Sequence, residues 1–133
     1  MEGRFPDEVW LQNFCQKLNS DGQYARIAQK WEGDLSFVIE AGGPIQSTIV
    51  LYMDLWHGAC REARVVQEDE KKPAFVLSAS YEVYEKVLSG ELDPMQALLT
   101  RKLKVQGNYA YLMRNVPVIL DFVRCAREVP QPE

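Results

Sequence analysis

The single histidine, His57, is the side chain best suited to acid–base chemistry at neutral pH, and it closely follows Asp54 in the chain. A Ser/His/Asp or Cys/His catalytic arrangement would have to use it. The sequence contains no GxSxG nucleophile elbow, and a single histidine after a strand is more typical of a turn. A small enzyme that uses Asp54 and His57 on a hydrophobic substrate is therefore an alternative without a supporting motif.

Motifs for metal binding and thiol redox chemistry are missing from the sequence. Cys15, Cys60 and Cys125 are widely spaced and form no CxxC pair, which predicts reduced thiols. One histidine without a patterned Cys or Asp partner supplies too few ligands for a metal. The acidic run 68–70 lies beside two lysines, and this favours a charged turn over two carboxylates that face a cleft. We predict no catalytic residues and no metal.

Phosphate-binding loops of the types GxxxxGK[ST] and GxGxxG are also missing, so no cofactor is predicted. Lys102 and Lys104 flank a short predicted strand. Their ammonium groups could meet an anionic headgroup, or they could belong to a solvated strand face, which is the more common arrangement.

The bulk composition excludes several classes of protein. The chain has 133 residues, 47% of them hydrophobic and 26% charged, as expected for one globular domain. A net charge of -4 argues against nucleic-acid binding. The longest apolar clusters, 49–55 and 116–120, are far shorter than the ~20 residues that span a bilayer. The ends show no signal-peptide core and no peroxisomal or retention address, so we expect a cytoplasmic protein.

Hydrophobic periodicity predicts the elements that must position these residues. Leu11, Phe14 and Leu18 recur at helical spacing, and Ser20 with Gln23 forms a capping box that predicts the start of a second helix. Alternating or β-rich runs predict strands over 35–40, 48–56, 61–67, 74–79 and 102–106. Short connections predict that the first four strands form an antiparallel meander. Together these elements predict an α+β fold of two layers, with helices on one face of the sheet.

Helix caps mark the second half of the chain. Ser80 and Asp93-Pro94 are typical helix starts, and a helix beginning at Tyr109 is followed by a restart or kink near Asn115 and Pro117. The last helix is apolar around much of its circumference and ends near Arg127. Such a surplus of apolar residues indicates either a packed core or an apolar pocket, because apolar side chains line both.

Residues 89–108 resemble a signature of the sterol carrier protein type 2 family, in which a "G-x-L-D-P-x-x-A" helix start leads into a "G-K-L-K-I-x-G-D/N" strand. The matching residues are Gly90, Leu92, Asp93, Pro94, Ala97, Lys102, Leu103, Lys104, Gly107 and Asn108. One position departs from the pattern, since Arg101 stands where the family usually has a glycine. With the order of elements upstream, the resemblance covers about 31–123.

This resemblance implies a five-stranded, mainly antiparallel sheet with helices covering one face and enclosing an apolar tunnel. It implies a single lipid-binding domain over 1–133, with its core at about 31–123, and we expect a loose tail at 128–133. Relatives bind fatty acids, fatty acyl-CoA, phospholipids or sterols without catalytic residues in this domain. We therefore expect a lipid or fatty acyl ligand, transient membrane contact and a monomer or weak homodimer.

The predicted ligand-binding residues come from the last helix, the short helices before it and two positions of the sheet. They are Met53, Leu55, Leu98, Leu99, Val105, Leu112, Met113, Val116, Ile119, Leu120 and Phe122. An alternative of another class is a protein–protein interaction or dimerisation module that uses the same apolar groove. The aromatic residues Trp10, Trp56 and Tyr111, expected to be exposed, motivate that alternative.

Overall fold

The computed structural model describes residues 3–132 and has the predicted α+β organisation. Two helices precede the first four strands, and short helices and a fifth strand lead into the last helix. The elements in chain order are α1 (Glu8–Ser20), α2 (Gly22–Ile27), β1 (Leu35–Glu40), β2 (Ile49–Trp56), β3 (Ala59–Val66), β4 (Phe75–Ser80), α3 (Tyr81–Ser89), α4 (Pro94–Leu99), β5 (Lys104–Gln106), α5 (Tyr109–Arg114) and α6 (Val116–Arg127).

The five strands form one mixed sheet in the order β3-β2-β1-β4-β5. Three neighbouring pairs are antiparallel, but β1 and β4 are parallel, with Leu35 opposite Phe75. The predicted four-stranded meander is therefore wrong at its last step, because β4 crosses back to lie beside β1. A period-two pattern identifies a strand but not its neighbour, so the sequence could not reveal this crossover.

Asp34, just before β1, fixes the start of the crossover strand. Its carboxylate accepts hydrogen bonds from the Ala74 backbone N–H and the Tyr52 hydroxyl, both at 2.7 Å. Its backbone carbonyl accepts a third from the Phe75 N–H at 3.2 Å. One short side chain thereby aligns the beginnings of β1 and β4 and binds them to β2.

The two faces of the sheet differ in cover. Alternate strand residues such as Leu35, Met53 and Leu77 join the helices in the main core. On the opposite face, Val50, Tyr52 and Val66 form a small separate cluster with Val38 packed against it. The prediction of helices covering one sheet face is confirmed.

Helix caps follow the sequence at two of the predicted starts. The side chains of Ser80 and Asp93 accept hydrogen bonds in the first turns of α3 and α4, and Pro94 opens α4. The predicted capping box at Ser20 is wrong, because Asp21 caps α2 by accepting from the Tyr24 N–H at 2.9 Å. Helix α1 continues through Ser20, whose hydroxyl donates back to the Lys17 carbonyl at 3.1 Å.

Arg124 joins α6 to the junction of α1 and α2. Its guanidinium donates to Asp21 at 2.7 Å and to Asp121 at 2.8 Å. Lys17 extends the cluster by ion pairs with Asp21 at 3.1 Å and with Glu128 at 2.8 Å. We call these five residues the polar junction. Hydrogen bonding to Arg124 is the main reason that the pKa of Asp21 lies well below its usual range.

The segment after α6 makes contacts with the N-terminal segment. Val129 is buried, and the Gln131 side chain accepts a hydrogen bond from the Phe5 N–H at 2.9 Å. The Pro132 carbonyl accepts another from Arg4 at 3.0 Å. That this tail is loose in solution stays a prediction, and its last residue, Glu133, lies outside the described residues. Among residues 3–132, no helix is both long enough and apolar enough to cross a membrane.

Candidate ligand-binding site

An apolar cavity of about 120 Å³ lies between the inner face of the sheet and the helices. All six helices and three strands contribute side chains to its wall. The lining residues are Phe5, Trp10, Leu11, Phe14, Tyr24, Trp31, Leu35, Phe37, Leu51, Met53, Leu55, Leu77, Val83, Tyr84, Val87, Leu88, Pro94, Leu98, Leu103, Leu112, Val118, Ile119, Phe122, Val123 and Ala126.

Helix α6 forms one wall through residues that recur on a single helical face. Ile119, Phe122, Val123 and Ala126 occupy positions i, i+3, i+4 and i+7, which lie above one another on a helix. The Phe122 ring packs between the layers: it stacks on Phe37 of β1, with ring centroids 5.8 Å apart, and tilts against Phe14 of α1 at 4.9 Å. These ring contacts hold α6 against both the sheet and α1.

Six of the predicted ligand-binding residues line this cavity: Met53, Leu55, Leu98, Leu112, Ile119 and Phe122. The other five lie elsewhere. Leu99 is 62% exposed and Leu120 is 43% exposed, Val105 faces a separate surface groove, and Met113 and Val116 are half-buried outside the lining. A helix turns one face inward, so apolar residues around its whole circumference cannot share one cavity. That these residues contact a ligand stays a prediction.

The sequence analysis missed the contribution of the first three helices. Trp10 and Phe14 from α1, Tyr24 from α2 and Tyr84 from α3 all line the cavity. Their signal was present as helical periodicity, but the predicted ligand-binding residues came only from the sheet and from positions 98–122. Trp10, expected to be exposed, is only 3% exposed, and Tyr111 is half-buried with its ring centroid 5.1 Å from that of Trp31.

Within the described part of the chain, two lining residues carry buried polar atoms without a hydrogen-bond partner. These atoms are the Trp10 indole N–H and the Tyr24 hydroxyl. Burial raises the pKa of Tyr24, so its hydroxyl keeps its proton at physiological pH. Apart from such donors the wall is hydrocarbon and aromatic, which suits an apolar guest and offers no charge to a reacting group.

A surface groove adjoins the cavity at the end of α4. Leu98 and Leu103 line both spaces, so they form the partition between them. The remaining groove residues combine apolar groups with two cations: Leu99, Arg101, Lys104, Val105 and Tyr109. Lys104 approaches Glu40 at 3.9 Å while its side chain stays 67% exposed.

Arg101 has a backbone φ of 60°, in the left-handed region that favours glycine. This geometry gives a physical reason for a glycine at the matching position of the signature. The chain makes the left-handed turn with an arginine and thereby places a cation at the groove.

Two other signature residues also shape the backbone. Gly107 has a φ of 128°, and a Cβ added there would lie 2.5 Å from the Ala74 carbonyl oxygen, so the position requires glycine. The Asn108 side chain caps α5 by accepting from the Tyr111 N–H at 3.0 Å. The signature therefore specifies turns and caps that position α4, β5 and α5 beside the cavity.

The two candidate acid–base residues, Asp54 and His57, each interact with a different partner. His57 lies 2.6 Å from Glu32, whereas Asp54 accepts from Arg61 at 3.1 Å. Both the His57 and Glu32 side chains are about half exposed, at 51% and 52%, and neither belongs to the cavity lining. This arrangement resembles two surface ion pairs.

Asp21, Asp121 and Cys125 bring three potential metal-ligating atoms within 4.8 Å of one another. Arg124 donates to both carboxylates, and the Gln23 side chain donates to Asp121 at 2.7 Å. The chain's own guanidinium thus supplies the positive charge that a cation would bring.

Comparison with known proteins connects this geometry to a family. The sequence model of the SCP-2 sterol transfer family matches residues 11–119. A crystal structure of sterol carrier protein 2 is 33% identical and has a TM-score of 0.88, with 96% of this chain and 100% of that chain covered. No match was found among curated protein sequences.

Two further structures share the fold. A solution structure from Thermus thermophilus, named as a possible sterol carrier protein, is 33% identical with a TM-score of 0.88, and the match covers 99% of this chain and 94% of that chain. The apo form of sterol carrier protein 2 from Yarrowia lipolytica is 18% identical with a TM-score of 0.61, over 90% and 91% of the chains. The family match spans most of the chain, and it includes α1 and α2 from Leu11 onward as well as the signature region. The protein belongs to the SCP-2 sterol transfer family.

Proposed function

We propose that this protein binds one long-chain apolar ligand in the cavity and carries it without catalysing a reaction. The candidate classes are fatty acid, fatty acyl-CoA, phospholipid and sterol. The observation that carries the proposal is the apolar cavity between sheet and helices in a member of a sterol transfer family. The proposed setting is the cytoplasm.

Burial of hydrocarbon supplies the binding energy in this proposal. Each CH₂ group transferred from water contributes roughly 0.8 kcal/mol. A sixteen-carbon chain therefore offers on the order of 10 kcal/mol before the costs of association are subtracted. The headgroup adds selectivity more than affinity, because it stays near water.

The cavity must enlarge to take such a chain. Its volume of about 120 Å³ is well below the roughly 300–1,000 Å³ of pockets that hold drug-sized ligands. We infer that the α4–α5 segment (residues 94–114) moves outward, because its elements have only six, three and six residues. Outward movement of Leu98 and Leu103 would join the cavity to the surface groove.

This opening gives the ligand an orientation. The hydrocarbon chain lies in the cavity, and the polar end lies in the groove beside Arg101 and Lys104. Both cations are exposed, so they favour an anionic headgroup such as a carboxylate or phosphate while it keeps its water.

Neighbouring residues of α6 provide a matched test. Ile119 lines the cavity, whereas Leu120 is 43% exposed and outside it. In titrations with a fluorescent fatty acid, Ile119→Arg should abolish saturable binding, because a guanidinium cannot be buried unpaired in a hydrocarbon wall. If the ligand contacts only the cavity wall, Leu120→Arg changes the affinity less than about threefold, and a larger loss would show that the exposed face of α6 also binds the ligand. Unchanged affinity in a folded Ile119→Arg variant would remove this residue from the site.

Competition with unlabelled fatty acid, acyl-CoA, phospholipid and sterol then ranks the ligand classes. Failure of every competitor, together with the absence of saturable binding to wild-type protein, would contradict the carrier proposal. Transient membrane contact stays a prediction that co-sedimentation with anionic phospholipid vesicles tests. A monomer or weak homodimer likewise stays a prediction, to be tested by sedimentation velocity over a range of concentrations.

A further inference from the structure

One stripe of polar side chains on α1 binds the outer edge of the sheet. Glu8 accepts a hydrogen bond from the Val65 N–H at 2.8 Å, and Gln12 donates to the Ala63 carbonyl. Asn19 bonds both backbone groups of Cys60, accepting from its N–H at 2.8 Å and donating to its carbonyl at 2.9 Å. The spacings of four and seven residues place all three side chains on one helical face.

Cys15 lies in the same stripe, between Gln12 and Asn19. Its partner across the interface is Cys60 of β3, and their sulfur atoms are 2.7 Å apart. Non-bonded carbon atoms pack best at about 3.5–4.0 Å, and a disulfide bond is about 2.05 Å long. The two thiols therefore approach more closely than ordinary packing, although both cysteines are free.

An irregularity in the sheet turns Cys60 towards α1. The pairing of β2 with β3 shifts between Asp54 and Leu55, so that Asp54 lies opposite Glu62 but Leu55 lies opposite Cys60. One residue, Arg61, is thereby inserted into β3. A β-bulge reverses the side-chain alternation beyond it, so Cys60 shares the inner face with Leu55. The bulge and the Asn19 hydrogen bonds together hold the Cys60 thiol against Cys15.

We propose that Cys15 and Cys60 form a modification site at which two-electron oxidation by a low-molecular-weight disulfide or a peroxide makes a bond between α1 and β3. The two residues differ in access: Cys15 is half-buried, whereas Cys60 is 4% exposed. Cys15 is therefore the residue that meets the oxidant, and Cys60 is the residue that completes the bond.

Thiol–disulfide exchange describes the chemistry with a disulfide such as oxidised glutathione. The Cys15 thiolate attacks one sulfur of the reagent, forms a mixed disulfide and releases the first glutathione thiolate, which is protonated. The Cys60 thiol then loses its proton, attacks Cys15 Sγ and displaces the second glutathione. Two protein thiols are oxidised to one disulfide, and the reagent is reduced to two thiols. With hydrogen peroxide, the Cys15 thiolate takes one oxygen to form a sulfenic acid and releases hydroxide, which is protonated to water. The Cys60 thiol then loses its proton, attacks Cys15 Sγ and displaces the sulfenic hydroxyl as a second water, so the peroxide is reduced to two waters.

The electrostatic setting agrees with these roles. The hydrogen bond between the thiols lowers the pKa of Cys15, and this bond together with burial raises the pKa of Cys60. The attacking thiol is thus the more acidic and the more accessible one. Cys125 is fully buried on α6, and desolvation raises its pKa to about 11.

The test uses purified wild-type protein treated with oxidised glutathione, and in parallel with hydrogen peroxide, followed by peptide mapping under non-reducing conditions. We expect a Cys15–Cys60 crosslinked peptide whose mass is two hydrogens below the sum of its parts. Cys15→Ser and Cys60→Ser should each lose the crosslink. Cys125→Ser, a matched control that keeps the pair, should retain it.

Thermal unfolding supplies a second readout that does not depend on ligand. The crosslink closes a long loop of the unfolded chain, so oxidation should raise the Tm of wild-type protein by on the order of 10 °C. The rise should reverse with dithiothreitol. A wild-type protein that yields only glutathione adducts, crosslinks between chains or free Cys60 thiol at saturating oxidant would overturn the proposal.

Discussion

The polar junction anchors α6, which forms one wall of the cavity, whereas the α4–α5 segment contributes another part of the wall, and the two regions are held in place in different ways. At the junction, Arg124 bonds two carboxylates and connects α6 to the end of α1 and the start of α2. In the α4–α5 segment, two helices of six residues and a strand of three carry exposed side chains such as Leu99 and Tyr109. The first region is fixed by several charge-assisted hydrogen bonds, whereas the second is held by caps, turns and a short strand pair.

This difference indicates how a carrier combines a stable fold with an adjustable site. A cavity that must enlarge needs one wall that moves and others that do not. The junction ties α6 to α1 and α2, so we expect the wall containing Phe122 to stay in place during the proposed outward movement of Leu98 and Leu103. The comparison predicts that mutations at the junction change the free energy of unfolding and that mutations in the segment change it little.

The largest effect is expected for Arg124→Met at the junction. Its loss would leave Asp121, which is only 5% exposed, without its guanidinium partner and dependent on the hydrogen bond from Gln23. Breaking a largely buried ion pair on one side costs about 3 kcal/mol. Urea denaturation should show this loss, and Lys30→Met, at an exposed position, should change the free energy of unfolding by less than about 0.5 kcal/mol. A loss below about 1 kcal/mol in Arg124→Met would contradict the expectation that the polar junction stabilises the fold more than the α4–α5 segment does.

A smaller effect is expected from acid. Because Arg124 and the Tyr24 N–H hold the pKa of Asp21 below its usual range, folding is favoured by the charged carboxylate. This stabilisation is present above the ordinary Asp pKa of about 4 and is lost as the pH falls below it. Wild-type protein should lose about 1 kcal/mol more than Arg124→Met between about pH 7 and pH 3 in urea titrations. Equal losses would show that Asp21 does not depend on Arg124.

The smallest effect is expected for Arg101→Gly in the α4–α5 segment. The left-handed backbone of Arg101 costs roughly 1 kcal/mol, which glycine relieves, but glycine also gains entropy in the unfolded chain. The free energy of unfolding should stay within about 1 kcal/mol of wild type. Lys102→Gly, the matched control without a positive φ, has no strain to relieve and should be less stable than Arg101→Gly. If urea denaturation showed Lys102→Gly to be the more stable of the two variants, this would contradict the conclusion that the backbone at Arg101 is strained.

The sequence alone predicted most of the elements, because periodicity and caps act locally. Ser80, Asp93 and Pro94 begin helices where their chemistry requires. The crossover of β4 could not be predicted in this way, since it depends on Asp34 meeting Ala74, at a separation of 40 residues in the chain. Local patterns identify strands, whereas the sheet order depends on contacts between distant residues.

The site was predictable in part for the same reason. Ile119 and Phe122 follow from one apolar face of α6, but Leu120 shares the composition of that helix and not its inward face. Trp10 and Tyr24 were missed because their contact with the cavity exists only when α1 and α2 pack on the sheet. The pairing of Cys15 with Cys60 depends on a β-bulge, and no spacing in the sequence indicates that bulge.

The polar stripe on α1 also covers one edge of the sheet. An edge strand normally offers a row of unpaired N–H and C=O groups to any passing chain, and this is a route to aggregation. Here Glu8, Gln12 and Asn19 occupy such groups along β3. At the other edge, β5 is only three residues long and includes Lys104. Both edges therefore discourage strand addition, so the proposed outward movement of the α4–α5 segment would not expose the sheet as a template for fibrils.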